Sequence, residues 1–392
     1  MRWWIAGLQV LSVSLVLAGS GGETLFAQGE GVRIERATTF AEDDALLDRA
    51  KAFMESKVSL DVRSARQQLR RPRAEAITLR PPSTKPLTGR GVAQAARRAF
   101  LRFGWYGFDE EGLDGFSLGA AYAITDDGVF ATCHHCVDPE GITEGCLVAM
   151  TETDQILPVK AILAYDRDLD AAIVRVDLSS LGAETKIEPL AFNSDVFPGD
   201  KAYCYSDPLD AYGYFSDGIV NRFYRVPPPE RKRNPVAADA LVLLRLNVST
   251  DWAPGSSGAA VLDECGNAIG HVSAIWSLSD DVPFEIAEEP ESDSEEPKGS
   301  TPKREEAAPP PGEKGTAEEP DAGGAEMEMP RTDEEIIHTG PVLITLHEAI
   351  PAAAIRKLVE KMNQAAGEKS GRQAGTPIPA RGGKREASAG PR

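Results

Sequence analysis

Three short runs hold side chains suited to acyl-transfer chemistry. They are Ala131-Thr132-Cys133-His134-His135-Cys136, Tyr165-Asp166-Arg167-Asp168-Leu169-Asp170 and Asp251-Trp252-Ala253-Pro254-Gly255-Ser256-Ser257-Gly258. The chain has five histidines, and two of them stand side by side in the first run. A serine hydroxyl is a poor nucleophile until an imidazole takes its proton, and a carboxylate must hold that imidazole in the right tautomer and stabilise the imidazolium. The three runs supply these groups in the order His, Asp, Ser. Which of His134 and His135, which aspartate of the second run, and which of Ser256 and Ser257 take the roles is not decided by residue type. Cys133 to Cys136 also offers zinc-ligand types. A short strand-turn segment is not expected to bring these four side chains onto one ion, and no second ligand pair with suitable spacing appears, so no metal and no cofactor are expected.

The elements that must position these residues are short strands. From Phe116 to Leu278 the chain reads as LGAAYAI, GVFAT, AAIVRVDL, DKAYCYS, GIVNRFYRV, ALVLLRL, GAAVL and AIGHVSAIW, separated by turn residues such as Asp-Asp-Gly, Pro-Gly-Asp and Cys-Gly-Asn. Regular short strands with this punctuation indicate an all-β sandwich or a pair of barrels. Upstream, residues 41–70 carry spaced Leu, Ala and Phe of helical period, and RRPRAEAITLRPPSTKP reads as an irregular linker. GVAQAARRAF reads as helix and LRFGWYGF as a first strand. Downstream, PVLITLHEAI reads as a further strand, and PAAAIRKLVEKMNQ as a closing helix with Pro351 at its start.

These motifs resemble, run by run, the trypsin-like protease domain of the HtrA/Deg family. Thr132-Cys133-His134-His135, Asp166-Arg167-Asp168-Leu169-Asp170 and Pro254-Gly255-Ser256-Ser257-Gly258 stand in the positions of its histidine, aspartate and serine motifs. NSDVFPGDKAYCYSDP, SDGIVNRFYR, GNAIGHVSAI and HEAIPAAAIRKLVEKM extend the likeness over residues 91–278 and 341–366. The resemblance implies two antiparallel six-stranded β-barrels of chymotrypsin type, with a helical N-terminal extension and a C-terminal helix. It also implies a serine endopeptidase in which His135 is the general base, Asp170 its orienting carboxylate and Ser257 the nucleophile. Polypeptides are then the substrates, and an extended peptide would pair with the strand at Ser273, Ala274 and Ile275.

The N–H groups of Gly255 and Ser257 would form the oxyanion hole. Asp251, six residues before Ser257, would sit at the base of the specificity pocket and favour Arg or Lys. Three departures from the pattern stand out: Ala259-Ala260 after the nucleophile, Ser256 in place of Asp or Asn, and Leu118 where a disulfide partner for Cys136 is expected. The Ala pair is the feature that favours the alternative reading, a catalytically inactive protease-fold module that binds proteins. Oligomeric state is not legible, and no room for a PDZ domain is expected after the closing helix.

Charge divides the chain further. The formal net charge is -19, yet residues 61–100 carry +8, while residues 101–278 and 279–340 carry -15 each. Such acidity speaks against nucleic acid as a partner. The expected organisation is a signal peptide over 1–27, a helical and linker extension over 28–90 and the protease domain over 91–278. A disordered acidic Pro/Glu-rich insertion follows over 279–340, then the last strand and closing helix over 341–366 and a basic disordered tail over 367–392. The signal peptide reading rests on Arg2, the uncharged run that follows and Ala27 at a cleavage point. It implies an exported, periplasmic or secreted protein with no stable membrane span after cleavage. Export permits disulfides, and Cys136 with Cys146 is a plausible loop bridge among the five cysteines.

Overall fold

The computed structural model describes residues 40–182, 185–226, 244–279 and 342–374. The expected signal peptide, most of the acidic insertion and most of the basic tail lie outside the described residues. Six antiparallel strands, β1 (Phe100–Phe108), β2 (Asp114–Ala123), β3 (Val129–Thr132), β4 (Glu144–Met150), β5 (Ile156–Asp166) and β6 (Ala171–Val176), close a first barrel in the order β1-β2-β3-β6-β5-β4. β7 (Lys201–Ser206), β8 (Tyr214–Arg225), β9 (Leu244–Val248), β10 (Ala260–Leu262), β11 (Ala268–Ser279) and β12 (Val342–Pro351) close the second in the order β10-β11-β12-β9-β8-β7. The two-barrel architecture expected from the sequence is therefore present. PVLITLHEAI is the strand β12, which pairs with β9 through His347 opposite Val248 and Ala349 opposite Leu246.

Closure leaves each strand one face inside. Leu101, Phe103, Phe130, Leu157, Ile162 and Val174 fill the first barrel with essentially no exposure, each contributing about 1.5–3 kcal/mol by leaving water. β1 is buried on both faces, because its outward Tyr106 packs with Cys146, Val148 and Ala50 of helix α1 (Phe40–Glu55). α2 (Val62–Arg70) is capped by Asp61, whose carboxylate accepts from Ser64 N, and α3 (Gly89–Ala99) by Thr88.

The stretch expected to be an irregular linker has no regular structure, but it is a strap bonded to both barrels. Arg73 N donates to Ile162 O, Glu75 pairs with Arg175, Ser83 N donates to Asn267 Oδ1 and Leu87 N donates to Glu264 O. Between these points, both backbone polar groups of Ile77 bond the Asn363 amide of α4 (Ala352–Ala374). α4 lays Ile355, Leu358, Val359 and Met362 onto the core at helical spacing. It continues to Ala374, so the first residues of the expected tail are helical.

Candidate active site between the barrels

The first barrel presents an imidazole and a carboxylate from neighbouring strand ends. β3 stops at Thr132, and the chain then makes a helical turn closed by Val137 N and Asp138 N on His134 O, which lifts His135 out of the barrel end. β5 ends at Asp166, whose carboxylate accepts from Asp168 N and Leu169 N; this tight turn delivers Asp170 with a left-handed φ of 56°. His135 Nδ1 lies 3.0 Å and 3.1 Å from the two Asp170 carboxylate oxygens, and His135 N donates to Oδ1 at 3.1 Å. His134 turns away, buried against the Tyr165 ring with centroids 5.2 Å apart.

The second barrel completes the surroundings of the carboxylate. Ser273 Oγ donates to Asp170 Oδ2 at 2.7 Å, and His271 Nε2 lies 3.2 Å from Asp170 O. Burial would raise the Asp170 pKa, yet the hydrogen bonds and charge of His135 and the bond from Ser273 hold it well below the usual carboxylate range. Burial likewise opposes charge on His135, but neighbouring Cys136 and Asp170 hold its pKa above the ordinary value. His271 is fully buried, and burial pushes its pKa down to about 4, leaving it neutral at physiological pH.

Ser257 stands on the loop from β9 to β10. Gly255 has φ +97°, and a side chain there would meet Asp207 O at 2.6 Å, so only glycine fits. Among the described residues, the N–H groups of Gly255 and Ser257 and the Ser257 hydroxyl make no hydrogen bond, whereas Ser256 N bonds Ala253 O and Gly258 N bonds Val272 O. Two neighbouring N–H groups with no internal acceptor are the arrangement an oxyanion requires. The loop is pinned to the first barrel by Ala120 N, which donates to Ser257 O at 2.7 Å. That contact needs Gly119, where a Cβ would lie 2.5 Å from Ser257 O and 2.9 Å from Cys136 Sγ. Gly119, not Leu118, therefore faces Cys136. All five cysteines are free, with Cys136 beside Ser257 O and Cys146 in the outer cluster under α1, so the anticipated Cys136–Cys146 bridge is absent.

The departures from the family pattern have local explanations. Ser256 is fully buried and bonds Ser206 Oγ at 2.9 Å, a neutral pair in a place where a carboxylate would be unsolvated. Ala259 and Ala260 are buried at the start of β10, with Ala260 in register opposite His271, so they continue into the strand without disturbing the turn. Asp251 is exposed and accepts from Tyr214 Oη at 3.3 Å; beneath it the buried Trp252 indole donates to Ala274 O at 3.3 Å. Ser273, Ala274 and Ile275 lie half-buried on β11. Sequence reasoning missed the Ser273 hydroxyl on Asp170, the contact at Gly119 and the buried His271.

The four side chains of Cys133-His134-His135-Cys136 do not converge, since His134 packs on Tyr165, but donor atoms of Cys133, His135 and Asp170 lie within 4.8 Å of one another. The hydrogen bond from Cys133 and the charge of His135 lower the Cys136 pKa to about 5 against the effect of burial.

Comparison with known proteins finds likeness over part of the chain. The model of the trypsin-like peptidase domain family matches residues 119–270. A curated relative, the chloroplastic Protease Do-like 1 of Arabidopsis thaliana, is 24% identical over 165 residues, which cover 41% of this chain and 34% of that protein. The chain thus spans about a third of that relative's length. Among solved structures, the serine endoprotease of Yersinia pestis matches with TM-score 0.39 and 15% identity over 71% of this chain and 68% of that one. An HtrA-type protease solved with a tripeptide matches with TM-score 0.36 and 20% identity over 49% and 56%.

Proposed function

We propose that this chain, which carries a trypsin-like peptidase domain, is an exported serine endopeptidase in which Ser257 is the nucleophile, His135 the general base and Asp170 the carboxylate that orients the base. The observation that carries the reading is the Asp170 carboxylate on His135 Nδ1, at 3.0 Å and 3.1 Å. A carboxylate on Nδ1 favours the proton there, which in the neutral imidazole leaves Nε2 as the acceptor, the tautomer that general-base catalysis on a serine requires.

In that reading Ser257 Oγ attacks the scissile carbonyl as its proton passes to His135 Nε2. The developing oxyanion is met by Gly255 N and Ser257 N. The protonated imidazole then gives its proton to the leaving amine, and the released peptide departs. A water molecule activated by the same imidazole hydrolyses the acyl-enzyme and regenerates the Ser257 hydroxyl. An extended substrate would lie along Ser273, Ala274 and Ile275, and the exposed Asp251 carboxylate would draw an Arg or Lys side chain at the cleavage position. Export rests on the sequence of residues 1–27, which reads as a signal peptide with cleavage points after Ser20 and after Ala27.

The test is cleavage of a peptide library and of an unfolded protein by the purified mature chain. Cleavage that vanishes in Ser257→Ala supports the reading, and a preference for Arg and Lys over Leu and Val supports the role of Asp251. Intact substrate with wild-type protein in every condition would sink the peptidase reading and leave the binding module.

A further inference from the structure

Five cysteines and five histidines are few for a chain of 392 residues, yet three of them crowd one end of the first barrel. Donor atoms of Cys133, His135 and Asp170 lie within 4.8 Å of one another, and among the described residues they are the one group of three or more His, Cys, Asp and Glu side chains that converges in this way. Cys136 adds a second sulfur from the same turn, outside that group of three, with its Sγ 3.6 Å from Ser257 O. The remaining cysteines are placed otherwise: Cys146 lies in the outer cluster under α1, Cys204 beside Ser206, and Cys265 in the turn after β10.

Peptide hydrolysis by a serine needs neither sulfur. Two thiols, an imidazole and a carboxylate are a borderline-soft set of four, the number and types that a tetrahedral zinc ion takes. Zinc bonds of about 2.0–2.3 Å place neighbouring ligand atoms roughly 3.3–3.8 Å apart, so Cys133, His135 and Asp170, already within 4.8 Å of one another, need side-chain movements of about 1 Å, and Cys136 must swing in from outside that group. The ligands have support behind them. Ser273 Oγ holds Asp170 Oδ2 at 2.7 Å, and Cys133 Sγ donates to Val272 O at 3.0 Å. The His135 side chain is half exposed, which gives an ion a way in.

We propose that Cys133, Cys136, His135 and Asp170 form a binding site for a zinc-class metal ion, and that occupation of the site switches off the serine centre. The second half rests on the peptidase reading; the first does not. Both sulfurs bind as thiolates, so Cys133 gives up to solvent the proton it now donates to Val272 O, any proton on the ligating His135 nitrogen leaves to solvent or moves to the other ring nitrogen, and two metal–sulfur bonds, one metal–nitrogen bond and one metal–oxygen bond form. Asp170 is drawn from the imidazole to the metal, and His135 spends a ring lone pair on the ion. The orienting contact and the base are lost together, while the serine loop is left as it is.

The experiment uses the purified full chain, reduced and stripped with chelator. Zinc is titrated in competition with a chromogenic chelator, and Co2+ is used as a spectroscopic stand-in. The expected result is one ion per chain with a near-ultraviolet thiolate-to-cobalt absorption band. Affinity should fall more than about 100-fold in Cys133→Ser and in Cys136→Ser, beyond the 10–100-fold typical of changes outside the ligand set. Cys265→Ser should keep the affinity of the parent. Fluorophosphonate labelling of Ser257 should be blocked by stoichiometric zinc and restored by chelator.

Absence of a thiolate band, or equal affinity in the parent and in both cysteine variants, would overturn the site. A stable Cys133–Cys136 disulfide in the reduced preparation would overturn it as well. Tight binding with unchanged labelling would overturn the switch. Tight binding to a chain that never labels would overturn the peptidase reading while the metal site stands.

Discussion

On the side of β3 and β6, the catalytic candidates are tied down. Asp170 bonds the His135 ring, the His135 N–H and the Ser273 hydroxyl, and its own carbonyl meets His271. On the side of the loop between β9 and β10, the Ser257 hydroxyl and the N–H groups of Gly255 and Ser257 have no partner among the described residues, although every residue around them is held. The difference follows from what each half must do. A base works from one tautomer and one orientation, so its bonds must be complete before substrate arrives. A nucleophile and an oxyanion hole must bond groups that form only during the reaction, so their capacity must be left unspent while the backbone is fixed.

The comparison can be broken from either side. Ser257→Ala and His135→Ala remove one member each, and either should lower kcat by about 10⁶-fold, with the double variant little worse than the singles, measured on a fluorogenic peptide. Gly255→Ala drives a Cβ to 2.6 Å from Asp207 O and displaces one donor. It should cost about 10²–10³-fold in kcat, the loss typical of one oxyanion donor, with His135 and Asp170 unaffected.

Buried His271 sharpens the comparison through stability. Its folded pKa, about 4, lies below the ordinary value of 6.5, and its charged neighbours are Asp170, His135 and Arg245. A depressed histidine contributes stability that is complete above its unfolded pKa and is lost as pH falls through the window between 6.5 and 4. The loss amounts to about 3 kcal/mol, read as a falling unfolding midpoint in urea. His271→Phe should flatten that window. Ser273→Ala, which removes one bond to a charged acceptor, should lower kcat about tenfold, or ~1.5 kcal/mol, with KM near the parent value. A KM change without a kcat change would mean that Ser273 serves substrate binding alone.

Much of this was legible in the sequence. The strand runs, save residues 240–243 of ALVLLRL, which lie outside the described residues, the closing strand at 342–351 and the helix after Pro351 stand in the fold, because period-two burial and turn residues are local signals. What escaped depends on contacts across the chain. The strap over residues 71–88 has no periodicity, since most of its hydrogen bonds go to the barrels and α4. The Ser273 hydroxyl reaches an aspartate 103 residues away, and Gly119 is needed only because Ser257 O comes to β2. Spacing makes a Cys136–Cys146 bridge plausible without establishing it, and the helix α1 packs over Cys146 and claims it for a separate cluster. The approach of Cys133 and His135 to Asp170 is not visible in the run itself, because it depends on the helical turn after Thr132 and on a carboxylate 35 residues away.

The central claim is that Ser257 is an activated nucleophile served by His135 and Asp170. Incubation of the reduced, metal-free chain with a fluorophosphonate, followed by intact mass and peptide mapping, tests it most directly. The expected result is a single adduct on Ser257 that is absent from Ser257→Ala and strongly slowed in His135→Ala. No adduct on the parent chain, or an adduct formed at the same rate without His135, would contradict it.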